Sequence, residues 1–481
     1  MAELRYSLFL LISGGYCALA AIIRIQLALT GIRPIGKPAS LIKNTPTSVK
    51  LILLLLIFTV LSSILSEYSG TLIGQFRREG LLTIAIYILS TFFLSKYFLP
   101  QKWMLYLVAV STTLFCVLSL AQLTGANPFL LYPEGFNYYD ANIYYSGEFL
   151  GTLGNTGLGA AFLSIAIGVF SMSVIKLDAK EKWLLTIPIF LASIVLFNMG
   201  VDAGIVALAV GLLLMLPVAV TDQKSFSGTL FVFAVVFSAF AISKVAVLGD
   251  GHISFIAGRL LLFVVSGIAV LAAAIAAKSK HIAQIPAKYY RIGSISAVAA
   301  AVCFALIYLW FYNGESSGMI YEASEVLRGR WDDEFGTKRI YIWRNALGGV
   351  SGNLLLGTGP DTLGHWGIAP FTRYSEELGT MLTTWIDAAH NEYLQILACG
   401  GILSLLCYLG ALGNAMLKWF KQPVNKLSAI AGAGALLYCI QAFFSISMFI
   451  SAPFFWIVLA VLIYSQNGKE AAGKKMNKPV K

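Results

Sequence analysis

Two kinds of residue in this chain have the types and spacing for chemistry: one histidine at the end of a long polar segment, and several arginines. The histidine lies in Asp387-Ala388-Ala389-His390-Asn391-Glu392-Tyr393-Leu394. Asp387 suits the N-cap of the apolar helix that follows, and the open amides of a helix start attract anions. Three residues inside such a cap, the helix dipole keeps an imidazole neutral and able to accept a proton. Position alone also fits a partly buried histidine whose hydrogen bonds are only structural, and favours that reading.

The arginines come next. Gly336 to Leu347 reads GTKRIYIWRNAL, and at helical period Ile340, Trp343 and Leu347 form one apolar stripe with Arg339 and Arg344 on its flanks. A helix of this kind lies in the membrane interface with both guanidinium groups at phosphate depth. Arginine grips phosphate oxygens in a two-pronged fork that lysine lacks. Snorkelling to lipid phosphates explains the same pattern. Arg77-Arg78-Glu79-Gly80 precedes another span, Asp202 falls in a short turn, and Arg259 opens a further span. Ionisable groups beside a membrane bundle carry a functional presumption. There is no Asp-x-Asp pair, His-Glu-x-x-His or phosphate-loop sequence. Asp332-Asp333-Glu334 suits a solvated loop better than a metal. The chemistry expected is therefore metal-free and without a cofactor.

These residues must be positioned by membrane helices. The 481 residues are 58% hydrophobic and 12% charged, which excludes a soluble domain. Stretches of the length a span needs recur thirteen times, near 6–23, 49–65, 80–99, 103–122, 155–175, 183–199, 203–220, 228–247, 256–277, 291–312, 391–415, 427–445 and 450–466. The first also resembles a signal peptide, although only Arg5 charges its n-region. One alternating set of connections holds 23 of the 34 Lys and Arg residues but 4 of the 23 acids. By the positive-inside rule that set is cytoplasmic. The fold expected is an all-α polytopic membrane protein with about 12–13 transmembrane helices and a long structured extracytoplasmic loop. Its parts are 1–312, about ten spans with an outward loop 123–154; the catalytic loop 313–390; the spans of 391–466; and a basic cytoplasmic tail, 467–481. The net charge of +11 reflects topology and anionic lipid, not nucleic acid.

Arg339-x-x-x-Trp343, Gly357-Thr358-Gly359-Pro360-Asp361-Thr362 and His390-Asn391-Glu392-Tyr393-Leu394-Gln395 running into Gly400-Gly401-Ile402-Leu403 resemble the O-antigen ligase and polymerase superfamily. Arg77-x-Glu79-Gly80-Leu81-Leu82-Thr83 and Gly151-Thr152-Leu153-Gly154-Asn155 add to the resemblance. It implies a glycosyltransferase C-like helical fold in the bacterial plasma (inner) membrane. It further implies transfer of a glycan from an undecaprenyl-diphosphate carrier to a hydroxyl of a glycan, lipid or protein acceptor at the outer face. His390 would be the base, and Arg339 and Arg77 would hold the diphosphate with Arg344, Arg330 and Arg259. The chain departs from the family at Asp202, near which many members carry an arginine. Three rivals stand beside this reading: a polymerase extending a lipid-linked glycan, a peptidoglycan polymerase of the shape and division type, and a glycolipid flippase. The flippase would favour inverted repeats and mid-membrane charge, which the chain lacks.

Overall fold

The computed structural model describes residues 2–30, 45–123, 126, 128–131, 137–138, 143–144, 151–178, 180–243, 246–247, 253–254, 257–375, 380–421 and 425–467. Among them, eight helices are long and apolar enough to cross a membrane: Glu3–Leu27, Thr47–Ile64, Lys102–Leu123, Thr156–Lys176, Gln223–Ser243, Leu261–Lys278, Ala287–Trp310 and Glu392–Lys421. Shorter apolar helices, Leu81–Tyr97, Lys182–Asn198, Asp202–Leu214, Lys426–Ala442 and Ala452–Gln466, occupy the other expected spans. Strand is confined to small two-stranded ribbons among the described residues, the longest pairing Phe371–Ser375 with Thr380–Thr384. The protein is an all-α polytopic membrane protein.

The helices form two compact units. One contains Met1–Leu99, Tyr341–Gly432 and Ala442–Lys481; the other contains Pro100–Ile340 and Ala433–Gln441. The polar segment 313–390 is thus shared between them. In the second unit, the Thr156–Lys176 helix is 94% buried over its most apolar window and the Ala287–Trp310 helix only 6%. A helix apolar all round suits either place: the first is the unit's axis, the second presents its side chains outward. Asn155 caps the axial helix, its Oδ1 accepting from Leu158 N at 3.1 Å.

In the first unit the Glu392–Lys421 helix is broken at Gly401, where φ is 74°. The Gly357-Thr358-Gly359 turn fills the break. Thr358 N and Gly359 N donate to the Ala398 and Cys399 carbonyls at 3.2 and 2.9 Å, while Ile402 N donates back to Leu354 O at 2.8 Å. The Ala398 and Cys399 carbonyls and the Ile402 amide, freed by the break, thus find partners, as buried backbone groups require. Glycine is required on both sides. A Cβ on Gly357 would stand 2.4 Å from the Cys399 carbonyl carbon, and one on Gly401 would stand 2.3 Å from Leu355 O.

The amphipathic helix in the polar segment differs from expectation in its face. Gly336, Thr337 and Lys338 are left-handed, so regular helix begins at Arg339. Of the expected stripe, Ile340 is buried and Trp343 packs against buried Ala346 and Val350, but Leu347 is 56% exposed and Ile342 is buried in its stead. Small residues set this roll. Trp366 lies so close to Gly349 that a Cβ there would meet its ring at 2.5 Å.

Candidate active site

In the first unit, Arg77 sits in a tight turn running into the Leu81–Tyr97 helix. Gly80 N donates to Ile73 O at 3.1 Å and Leu81 N to Thr71 O at 2.8 Å, closing the turn on itself. Gly80 is required there, since its Cβ would stand 2.3 Å from Ile73 carbonyl carbon. Asp361 reaches in from the Gly357–Thr362 turn. Its Oδ2 accepts from Phe76 N at 3.0 Å and Arg77 N at 2.8 Å. Burial raises the Asp361 carboxyl above its ordinary value, and those two backbone bonds oppose the rise. The Arg77 side chain donates from Nη2 to Asp387 Oδ1 at 2.5 Å. Its Nε is buried and has no hydrogen-bond partner among the described residues.

The approach to His390 corrects one expectation. The helix opens at Glu392, and its cap is Asn391, whose Oδ1 accepts from Leu394 N at 3.0 Å. Asp387 is not the cap because it is committed to Arg77. His390 therefore stands just before the helix, not inside it, and its φ is +48°. A non-glycine residue in that region persists only where its surroundings impose it. Here Trp343 Nε1 donates to Ala389 O at 3.0 Å and Ala389 N donates to Gln395 Oε1 at 2.8 Å. Ala389 is fully buried among Ala346, Val350, Leu363 and Leu394, so the peptide leading into His390 is fixed. The His390 side chain is half-buried.

The second unit holds Arg339 and Arg330. Arg339 follows the left-handed turn directly and folds back, Nη1 donating to Gly336 O at 2.7 Å. Glu322 supports that turn by accepting from Gly336 N at 2.8 Å. Burial lowers the Arg339 guanidinium from its ordinary value, while the charges of Asp202 and Glu322 act the other way. Arg330 forks onto Glu325, with both N–H···O bonds at 2.5 Å. Arg328 also donates to Glu325, at 3.2 Å, and binds the Trp310 and Tyr312 carbonyls. Arg330, foremost, holds the Glu325 carboxyl below its ordinary value.

Arg344 lies in the first unit and is exposed. Arg259 falls in the Ala257–Lys278 helix, and its side chain lies outside the described residues. Asp361, Asp387, Glu322 and Glu325 are partners of the arginines or of their turns that sequence spacing does not mark. Asp361 alone carried a signal, ending a Gly-Thr-Gly-Pro-Asp turn.

Residues 252–409 match the family model described as O-antigen ligase. The match supports assignment to the O-antigen ligase and polymerase superfamily. The matched stretch contains Arg259, Arg330, Arg339, Arg344 and His390; Arg77 precedes it. Members of this superfamily are membrane glycosyltransferase-like enzymes of ligase or polymerase type, which implies a lipid-linked glycan and a membrane setting. Comparison with curated proteins gave no match.

Proposed function

We propose that the protein transfers a glycan from an undecaprenyl-diphosphate carrier to an acceptor hydroxyl at the outer face of a bacterial inner membrane. One observation carries the reading. Three segments that resemble the superfamily, the Arg77 turn, the Gly357–Thr362 turn and the 387–395 stretch, are joined in one unit by Asp361–Arg77 and Arg77–Asp387 contacts.

The chemistry needs a site for a diphosphate and a base for a hydroxyl. In the first unit Arg77 supplies a guanidinium whose Nε has no hydrogen-bond partner among the described residues; the family resemblance alone adds Arg339, half-buried in the second unit. Arg330 can reach phosphate only by loosening its fork with Glu325, so it ranks behind them. Arg344 and Arg259 are auxiliary. His390 takes the proton from the acceptor hydroxyl as that oxygen bonds to the anomeric carbon. The bond from that carbon to the diphosphate oxygen breaks, and the diphosphate leaves with the electron pair on that oxygen, its added charge met by the Arg77 guanidinium. Attack opposite the leaving group inverts the anomeric centre. A polymerase would perform the same steps with a lipid-linked glycan as acceptor.

The test is in vitro transfer from purified undecaprenyl-diphosphate glycan, with products read by mass spectrometry for the parent and for His390→Ala. A variant within a few-fold of the parent at equal membrane abundance removes His390 as the base. Cysteine labelling at position 339 tests the side: reaction only from the cytosol ends the outer-face assignment.

A further inference from the structure

The first unit contains a partly open cavity of about 110 Å³ whose wall carries groups that glycan transfer leaves unused. Glu79 and Glu392 both line it, each held by a tyrosine. Tyr87 OH donates to Glu79 Oε1 at 2.7 Å, and Tyr408 OH donates to Glu392 Oε1 at 2.5 Å. Trp456 bridges the two tyrosines, its ring centroid 5.9 Å from each. Asp361 adds a third carboxyl to the wall, and the lining cation, Arg77, is already paired with Asp387. Ser404 also lines the cavity. It is 1% exposed, and its Oγ has no hydrogen-bond partner among the described residues. A buried hydroxyl in that condition costs about 1–3 kcal/mol unless an occupant meets it.

The wall selects the occupant. Glu79 and Asp361, two buried carboxyls in one wall, require protons or a cation. Among the described residues no three His, Cys, Asp or Glu groups converge as a divalent metal would need. Two separated carboxyls, a hydroxyl and a row of aromatic rings suit an ammonium group instead. Such a group has three N–H donors and is drawn to ring faces. We propose that this cavity binds a primary ammonium group, carried by a lipid headgroup or by an amino sugar. Its N–H bonds go to Glu79, Glu392 and Ser404 Oγ. Binding as such does not depend on the transfer reading.

A dependence on pH follows. Burial pushes the Glu79 carboxyl up to about 8, Asp361 and Glu392 add to the rise, and the Tyr87 hydrogen bond opposes it. Ser447 Oγ, 3.5 Å from Glu79 Oε2, the Phe449 backbone N–H, which also opposes the rise, the Tyr6 phenol and Arg77 on the same wall are other polar groups nearby. Near pH 6 the ammonium must displace a proton from Glu79. Near pH 8.5 much of that carboxyl is already ionised, while an alkyl ammonium, with a pKa of about 10 like lysine's, remains charged.

The experiment titrates ethylammonium chloride into the full-length protein in nanodiscs of phosphatidylcholine and phosphatidylglycerol, against matched sodium chloride. Calorimetry and thermal unfolding are the readouts. Saturable binding is expected, tighter near pH 8.5 than near pH 6 by on the order of 10-fold. Glu79→Gln and Glu392→Gln, which keep side-chain shape and an oxygen for the tyrosine, should each weaken it at least several-fold. Competition by phosphatidylethanolamine nanodiscs assigns a lipid headgroup; competition by glucosamine but not N-acetylglucosamine assigns an amino sugar. Absence of ethylammonium binding at both pH values overturns the proposal. So does unchanged binding in the double variant, or competition by neither carrier.

Discussion

Asp361 holds Arg77 by its backbone: one carboxylate oxygen, Oδ2, accepts the N–H of Arg77 at 2.8 Å and that of Phe76 at 3.0 Å. The arginine's side chain is thereby left to Asp387 and to whatever anion enters. Asp361→Ala strands two amides and should destabilise the protein by about 1–3 kcal/mol and lower transfer with it. Asp361→Asn retains an acceptor oxygen and should recover most of both. Thermal unfolding of the purified variants, read beside transfer rates, checks the order parent, Asn, Ala.

Substitution of His390 should separate chemistry from folding. Loss of a general base typically lowers a rate by about 10²–10⁴-fold, so His390→Ala should fall in that range while membrane abundance holds. His390→Asn tolerates the left-handed backbone better than most residues, so it should be at least as abundant and equally inactive.

Arg77 should be distinguishable from a mere cation. Arg77→Lys keeps the charge but loses the fork, so the donor KM should rise and kcat fall. Arg77→Ala should do worse, because it leaves Asp387 without its ion-pair partner. Adding Asp387→Asn to Arg77→Ala should restore stability without restoring transfer. Recovery of transfer in the double variant would show that Arg77 serves only to neutralise Asp387.

The Glu79 carboxyl gives stability a pH slope. Its folded value, about 8, lies above its ordinary 4.5, so the native state holds the proton more tightly than the unfolded chain. This contribution is complete below about pH 4.5 and is lost as pH climbs through 8, a loss on the order of 5 kcal/mol. Glu79→Gln should flatten the decline between pH 5 and 8. Melting curves at stepped pH in an ammonium-free buffer measure it.

Gly401 and Gly357 should be intolerant. Alanine at either meets backbone atoms and sits at positive φ. Each substitution should cost several kcal/mol and lower expression, whereas Gly413→Ala, with nothing within 4 Å of its Cβ, should be silent. Yields and melting temperatures of the three variants decide this.

The apolar helices, eight of them among the described residues long enough to cross a membrane, were legible because length and apolarity are local properties of the chain. Placing the Trp343 helix in the polar segment was legible too, yet its buried face was not: Ala346 and Gly349 look neutral on a helical wheel and become decisive only when Trp366 arrives. Asp387 fits a helix cap by type, but a carboxylate near a helix start goes to the stronger partner, and Arg77 is 310 residues away in sequence. The unusual state of Glu79 was invisible for the same reason. Nothing local marks a carboxyl that is buried beside the charges of Asp361 and Glu392.

Because the Gly357–Gly359 turn supplies the very donors that the split helix lacks, it serves as a splice. Lifting it would strand the Ala398 carbonyl and leave the Cys399 carbonyl with Ser62 Oγ as its donor, so this piece of the polar segment resists swinging open to admit a substrate. Any entry gate must therefore lie in the stretches flanking it, and a crosslink between positions 358 and 398 should leave turnover intact.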